Sequence, residues 1–355
     1  MAELDWNGLH CQSHYMAKRF AEDGHDVVYI NRTLQRWPKW NHLKRRIKYG
    51  QITESVYKRP KPDNLNELTL WVGPPVSWLR WLNRRLIARK VKPSLKPTIL
   101  ITYVPTYNCI DLKEIVQPNS FHYLCYHNFD ADIVLSDVRD SERLVIKSAT
   151  KLFADSLFLV NRLVQISHGK TVVHAPPGVN FDAFYCAFRG NEIESRKKIC
   201  FFGGAGKHVD IETYNELSKD YHVIFIAQIA DEICHLLSPR IEIRDVVGHE
   251  QLPKALKEMD ILSILYLKSD YIDGVIPAKF FECMGTGKPV LVSGLDETLM
   301  YSDLVYDVCN SHEKAKEIIE QLPVNFPMRL EKQLQIAKSF DFESLYQSFK
   351  SHILK

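Results

Sequence analysis

The chain reads as an α/β protein made of two consecutive halves, each a mostly parallel sheet covered by helices. Three observations predict this. Short β-rich runs alternate with helix-spaced segments along the whole sequence, an order that puts helices on the faces of a parallel sheet. A length of 355 residues suits about two domains. A glycine-bearing turn followed by helix and strand occurs near the start and again from residue 197.

In the first half, WNGLHCQSH (6–14) is a polar turn, HYMAKRFAEDG (14–24) has helical spacing and stops at Gly24, and DVVYIN (26–31) is a β-rich run. A strand should precede the turn. Only MAEL is left to supply it, so the chain is expected to start inside that strand. Further strands are predicted at 69–72, 98–104, 121–126, 151–154 and 171–174, and HAPPGVNFDAF (174–184) closes the half. In the second half, KKICFFGGAG (197–206) reads as a strand running into a glycine loop, followed by a helix over about 209–219. Strands follow at 222–228, 241–248 and 261–267, with a helix over 249–260. A helix over 277–287 leads into the strand PVLVSG, and residues 339–354 form a last helix. The expected domains are 1–190 and 191–335, with 336–355 as a C-terminal helix.

The apolar and charged fractions, 45% and 25%, are those of an ordinary globular protein. No apolar run approaches the length of about 20 residues that spans a membrane, and the start lacks a basic region and apolar core. The eight cysteines form no C-x-x-C pair, which argues against structural zinc or a disulfide framework and for a reducing cytoplasm. Charge is uneven. Between Arg36 and Pro97, sixteen Lys and Arg face three acids, +13 locally in a chain of net charge +3. Within it, SWLRWLNRRLIARKVK (77–92) brings Trp78, Trp81, Leu82 and Leu86 close together on a helix among arginines. Such a helix suits an anionic membrane surface; the plainer reading is a solvated basic face with its tryptophans in the core. No nucleic-acid motif accompanies it.

The most informative stretch is VIPAKFFECMGTGKPVLVSG, 275–294. Pro277 suits the first position of a helix, whose free N–H groups and macrodipole stabilise an anion. Lys279 and Glu282, three apart, share a face. The lysine adds charge near a phosphate and the glutamate can accept from two vicinal hydroxyls. Gly285 and Gly287 end the helix. A surface Lys–Glu pair on an ordinary helix would show the same letters. Upstream, Gly203, Gly204, Gly206 and Lys207 form a turn whose backbone can approach a diphosphate. Asp210 is expected to cap the next helix.

The P-x-K-hydrophobic-hydrophobic-E run before G-K-P-V resembles the donor-binding signature of GT-B-type glycosyltransferases (group 1, family 4-like). HAPPGVNFDAF and VVGHEQLPKALKEMD also resemble passages of that family, in register over nearly the whole chain. The resemblance implies two Rossmann-like domains facing across a cleft and a nucleoside diphosphate sugar, UDP- or GDP-linked, as donor, with Glu282 on the ribose. Where many retaining members carry a second glutamate, this chain has Gly274, with Asp273 beside it. The implied activity is sugar transfer to a hydroxyl, with retention, and the implied place of the last helix is packed back on the first domain. The basic, tryptophan-bearing stretch 36–97 points to a lipid-linked or surface-polysaccharide acceptor, in the cytoplasm and peripheral at the inner face of the membrane. A sugar-nucleotide epimerase on the same fold and a non-catalytic nucleotide-sugar-binding protein are the rivals; acceptor-independent turnover would mark the first.

From the first half, Asn7, Gly8, His127 and Asp130 are expected to line the site, His127 or Asp130 serving as base. Lys207 and Lys279 would stabilise the leaving diphosphate, so that no metal and no tightly bound cofactor is required. Asp130–Ala131–Asp132 has the letters of a metal motif but falls on the acceptor side. His10 and His14, four apart, are read as polar residues at a helix start rather than as metal ligands.

Overall fold

A computed structural model describes residues 1–8, 11–33, 59–91, 98–131, 137–188, 197–270 and 272–354. It divides into two units, Met1–Ala175 with Tyr346–Lys355, and Pro176–Leu345.

In the first unit, β1 (Val27–Ile30) pairs in parallel with β2 (Leu65–Leu68). A second parallel sheet runs β3 (Ile99–Thr102), β4 (Ser120–Cys125), β5 (Lys151–Ala154) and β6 (Val172–His174). The helices Gln12–Glu22, Arg80–Lys90, Tyr107–Val116, Val138–Ser148 and Leu157–Ile166 fall between them. The strand expected at 69–72 lies instead at 65–68. The ladder with β1 ends when the Asn31 N–H reaches the Leu68 carbonyl, and Leu70 and Val72 are buried without strand pairing. The first residues bridge the two sheets: the Ala2 N–H donates to the Ile30 carbonyl, and the Tyr103 N–H to that of Met1. Beside them lies a cavity of about 580 Å³, lined by β1, β3 and residues such as Met16, Phe20 and Leu112. The Gln12–Glu22 helix starts where the His14 ring accepts from the Cys11 N–H, and Gly24 ends it at φ +87°.

The second unit holds one parallel sheet of six strands, in the order β12 (Tyr306–Asp307), β11 (Val290–Ser293), β10 (Ile261–Leu265), β7 (Lys198–Ala205), β8 (His222–Ile229), β9 (Glu242–Arg244). The unbroken apolar run of β10 is buried at every position, as a central parallel strand requires. Phe201, Tyr214 and Phe225 pack ring to ring in its core. Each fully buried ring contributes about 1.5–3 kcal/mol.

Several element bounds differ from expectation for visible reasons. Gly203 and Gly204 lie in β7, paired with Ala227 and Gln228, rather than in a loop. The helix expected over 209–219 is Ile211–Leu217, because Asp210 accepts from the Thr213 N–H and fixes its start. The one expected over 249–260 is only Leu252–Leu256. Beyond it, the buried Lys288 ammonium donates to the carbonyls of Lys257 and Met259, so the chain leaves the helix early. The helix expected from Pro277 begins at Lys279 and ends at Gly285. At the end of the chain, Pro327–Ser339 and Phe342–Ile353 are separate helices, so residues 336–339 belong to the former. Among the described residues, no helix is long and apolar enough to cross a membrane.

Candidate functional site

The strand order reverses at β7: β8 and β9 follow on one side, β10 to β12 on the other. Loops leaving β7 and β10 therefore part at their carboxyl ends, where open parallel sheets bind ligands. Here the two loops are tied together. The Leu267 N–H donates to the His208 carbonyl, and the Asp210 N–H to that of Leu265.

Lys279 reaches this point from its helix. Its Nζ donates to the Phe202 carbonyl at 2.8 Å and lies 3.8 Å from the centre of the Phe201 ring. Gly203 sits at φ +102°, and its Cα hydrogen stands where a Cβ would be 3.7 Å from that ammonium. Burial lowers the Lys279 pKa to about 8, while part of the side chain remains accessible. The His208 ring stands edge-on to Tyr266, 4.6 Å between centroids. Burial, and then the charge of Lys279, push His208 down to about 4, so it is neutral at physiological pH.

One turn along the helix, Glu282 is 6% exposed and its Oε1 lies 2.7 Å from His249 Nε2. The His249 ring packs on Phe184 at 5.4 Å. His249 precedes the Leu252–Leu256 helix, 33 residues away in sequence, and the motif gave no sign of it. Asp273 and Gly274 form a turn in which the Asp273 N–H donates to the Ser269 carbonyl and Gly274 takes φ +77°. Pro277 lies before the helix, its carbonyl accepting from the Phe280 N–H. At seven residues, that helix has too few aligned peptides for its dipole to act alone.

Of the remaining expectations, Gly203 and Lys279 come together and Gly206 lies against the His208 ring. Gly204 is exposed near the end of β7. Lys207 points outward, 76% exposed, with Glu232 at 3.5 Å, a surface pair worth about 0–1 kcal/mol. Asp210 caps its helix as expected and also accepts from Asn310.

In the first unit, the turn with Asn7 and Gly8 is buckled to Arg59. Asn7 Oδ1 accepts from the Arg59 N–H, and the Gly8 and Trp6 carbonyls accept from its guanidinium. His127 follows β4, 8% exposed, with its ring edge-on to Phe129 at 5.2 Å. Asp130 binds Arg162 at 2.7 Å, and the same guanidinium holds the buried Glu142. That hydrogen bond keeps Asp130 below the usual carboxylate range, and a carboxylate committed to a guanidinium is a weak proton acceptor. Burial lowers the His14 pKa to about 4, with its Nε2 2.9 Å from the Asp5 carbonyl, so it serves the helix start. His10 and Asp132 lie outside the described residues, as do 36–58 and 92–97 of the basic stretch. Among the described residues no group of three or more His, Cys, Asp or Glu could hold a metal.

The described tryptophans of that stretch are on the surface, against the plainer reading. Trp71, Trp78 and Trp81 are 62%, 64% and 61% exposed. The Arg80–Lys90 helix is anchored instead by buried Asn83, which bonds the backbone of Gly73 and Pro74. Two of its arginines are neutralised, Arg80 and Arg84 pairing with Asp111 and Glu114.

No family model matches the chain, and no curated protein matches it in sequence. Solved structures do. A glycosyltransferase from Rickettsia africae ESF-5 superposes with a TM-score of 0.66 at 14% identity, over 97% of this chain and 94% of that one. WaaG, a glycosyltransferase involved in lipopolysaccharide biosynthesis, gives 0.64 at 13% identity over 96% and 95%. Anabaena HepE, solved with UDP and glucose, gives 0.63 at 12% over 95% and 93%. The chain thus shares the GT-B fold of these proteins, as the motifs of 174–184, 246–260 and 275–294 implied.

Proposed function

We propose that the chain is a glycosyltransferase that takes a sugar from a nucleoside diphosphate sugar, UDP- or GDP-linked. The observation that carries this is the meeting of Gly203 and the Lys279 ammonium at the strand-order reversal of the second unit, with the Glu282 carboxylate one turn along the same helix. The glycine gives a diphosphate close access to the backbone, and the lysine supplies a fixed cation. The glutamate accepts from the ribose hydroxyls one helical turn away. HepE, which shares the fold, was solved with UDP and glucose, and this supports a nucleotide sugar here.

In the proposed reaction the bond from the anomeric carbon to the diphosphate breaks, and a bond to the acceptor oxygen forms. The acceptor proton passes to a base. Lys279 and Lys207 stabilise the leaving diphosphate without a metal. In the first unit His127, rather than Asp130, is assigned to the acceptor hydroxyl. The acceptor is a lipid-linked or surface-polysaccharide glycan, the transfer retaining, and the chain sits at an anionic membrane surface in the cytoplasm. The exposed Trp71, Trp78 and Trp81 support the membrane part.

A panel of nucleotides and nucleotide sugars, read by thermal shift and followed by transfer to glycan acceptors, tests the proposal. One UDP or GDP sugar should raise the melting temperature and then be consumed only with acceptor present. Consumption without acceptor points to an epimerase, and no stabilisation by any nucleotide overturns the reading.

A further inference from the structure

Glu282 is held by a residue that the donor reading did not require. One of its oxygens, Oε1, lies 2.7 Å from His249 Nε2. The other, Oε2, has no hydrogen-bond partner among the described residues and is not among the atoms sealed from solvent. A lone carboxylate on a helix turns freely about its last torsion, which is broad and roughly two-fold. A donor fixed on one oxygen removes that freedom and leaves the second oxygen, with one lone pair of the first, to face outward. His249 is itself fixed, because its ring lies against Phe184, a side chain with no exposed surface.

We propose that His249 is a positioning residue: it orients the Glu282 carboxylate so that this group reads the vicinal diol of the ribose. The proposal rests on the assignment of Glu282 to the ribose. His249 does not touch the nucleotide. It sets how sharply the site tells ribose from a sugar without hydroxyls, because an acceptor aimed in advance loses no rotational freedom on binding.

Calorimetric titration with UDP and GDP, each beside its 2′,3′-dideoxy counterpart, gives the test through the ratio of their dissociation constants. Hydrogen bonds to a charged acceptor are each worth about 1.5–3 kcal/mol, so the wild-type chain should prefer the ribose form by about 100-fold. In His249→Phe the ratio should fall at least tenfold while the dideoxy nucleotide binds as before. His249→Asn, too short to reach Glu282, should lose the ratio equally and provides a polar variant should the Phe form fold poorly. His249→Gln carries a donor at the position of Nε2 and should restore most of it. A ratio unchanged in the Phe and Asn variants overturns the role of His249 alone. A wild-type ratio near one overturns this proposal together with the ribose assignment of Glu282.

Discussion

Replacing Lys279 with methionine should make the protein slightly more stable and weaken its binding of nucleotide. The ammonium is buried beside the Phe201 ring and the Phe202 carbonyl, and burial lowers its pKa from 10.5 to about 8. At about 1.4 kcal/mol per unit, that shift corresponds to a destabilisation of about 3 kcal/mol in neutral solution. Part of the side chain stays accessible, so solvent reduces this to about 2 kcal/mol. Methionine has similar volume and no charge, but it forfeits the charge-assisted hydrogen bond to the Phe202 carbonyl, worth about 1.5 kcal/mol. The net expectation is a gain of about 0.5 kcal/mol, or about 1–2 °C in melting temperature. The pH dependence has a fixed sign. Because the folded pKa lies below the unfolded one, the unfolded chain holds more protons between pH 8 and 10.5, and wild-type stability gains from this group as pH rises through that window. Lys279→Met should lack that gain. Loss of the cation should weaken UDP or GDP binding by about 10- to 100-fold. Urea unfolding at pH 7 and pH 9.5 and calorimetric titration measure the two effects. A variant destabilised by about 2 kcal/mol that binds nucleotide normally would refute the reasoning.

Gly294 takes φ +68°, and a Cβ there would lie 2.3 Å from the Tyr266 carbonyl oxygen. Gly294→Ala should cost about 3 kcal/mol through strain and overlap, and an unchanged urea midpoint would contradict this. Asp130→Asn should lower transfer less than tenfold, whereas His127→Phe should lower it by about 100-fold or more; the reverse order would return the base to Asp130. Trp78→Ser with Trp81→Ser should leave melting unchanged, since both rings are exposed, yet reduce sedimentation with anionic vesicles about tenfold. Equal sedimentation at all lipid charges would remove the membrane assignment.

The fold was legible because its signals are local. The fully buried run of β10, the alternation of strand and helix and the cap at Asp210 each act over a few residues. What the sequence hid is long-range. His249 meets Glu282 across 33 residues, Arg59 reaches the Gly8 turn across 51, and Arg162 claims Asp130 across 32. No periodicity encodes such pairs. The glycines at 203 and 204 read as a loop because glycine is rare inside strands, yet backbone pairing with β8 carries the strand through them. The early end of the Leu252–Leu256 helix depends on Lys288, an ammonium from another element that takes up carbonyls just beyond it. Propensity within 249–260 could not report it.

The central claim is that the second unit holds a nucleoside diphosphate with Glu282 on its ribose. Its most direct test is calorimetric titration of UDP and GDP into the wild-type chain and into Glu282→Ala, with circular dichroism to confirm an intact fold. The account predicts binding of one nucleotide by the wild type and affinity lower by about 10- to 100-fold in the variant. Equal affinity in both proteins, or no binding of either nucleotide to the wild type, would contradict it.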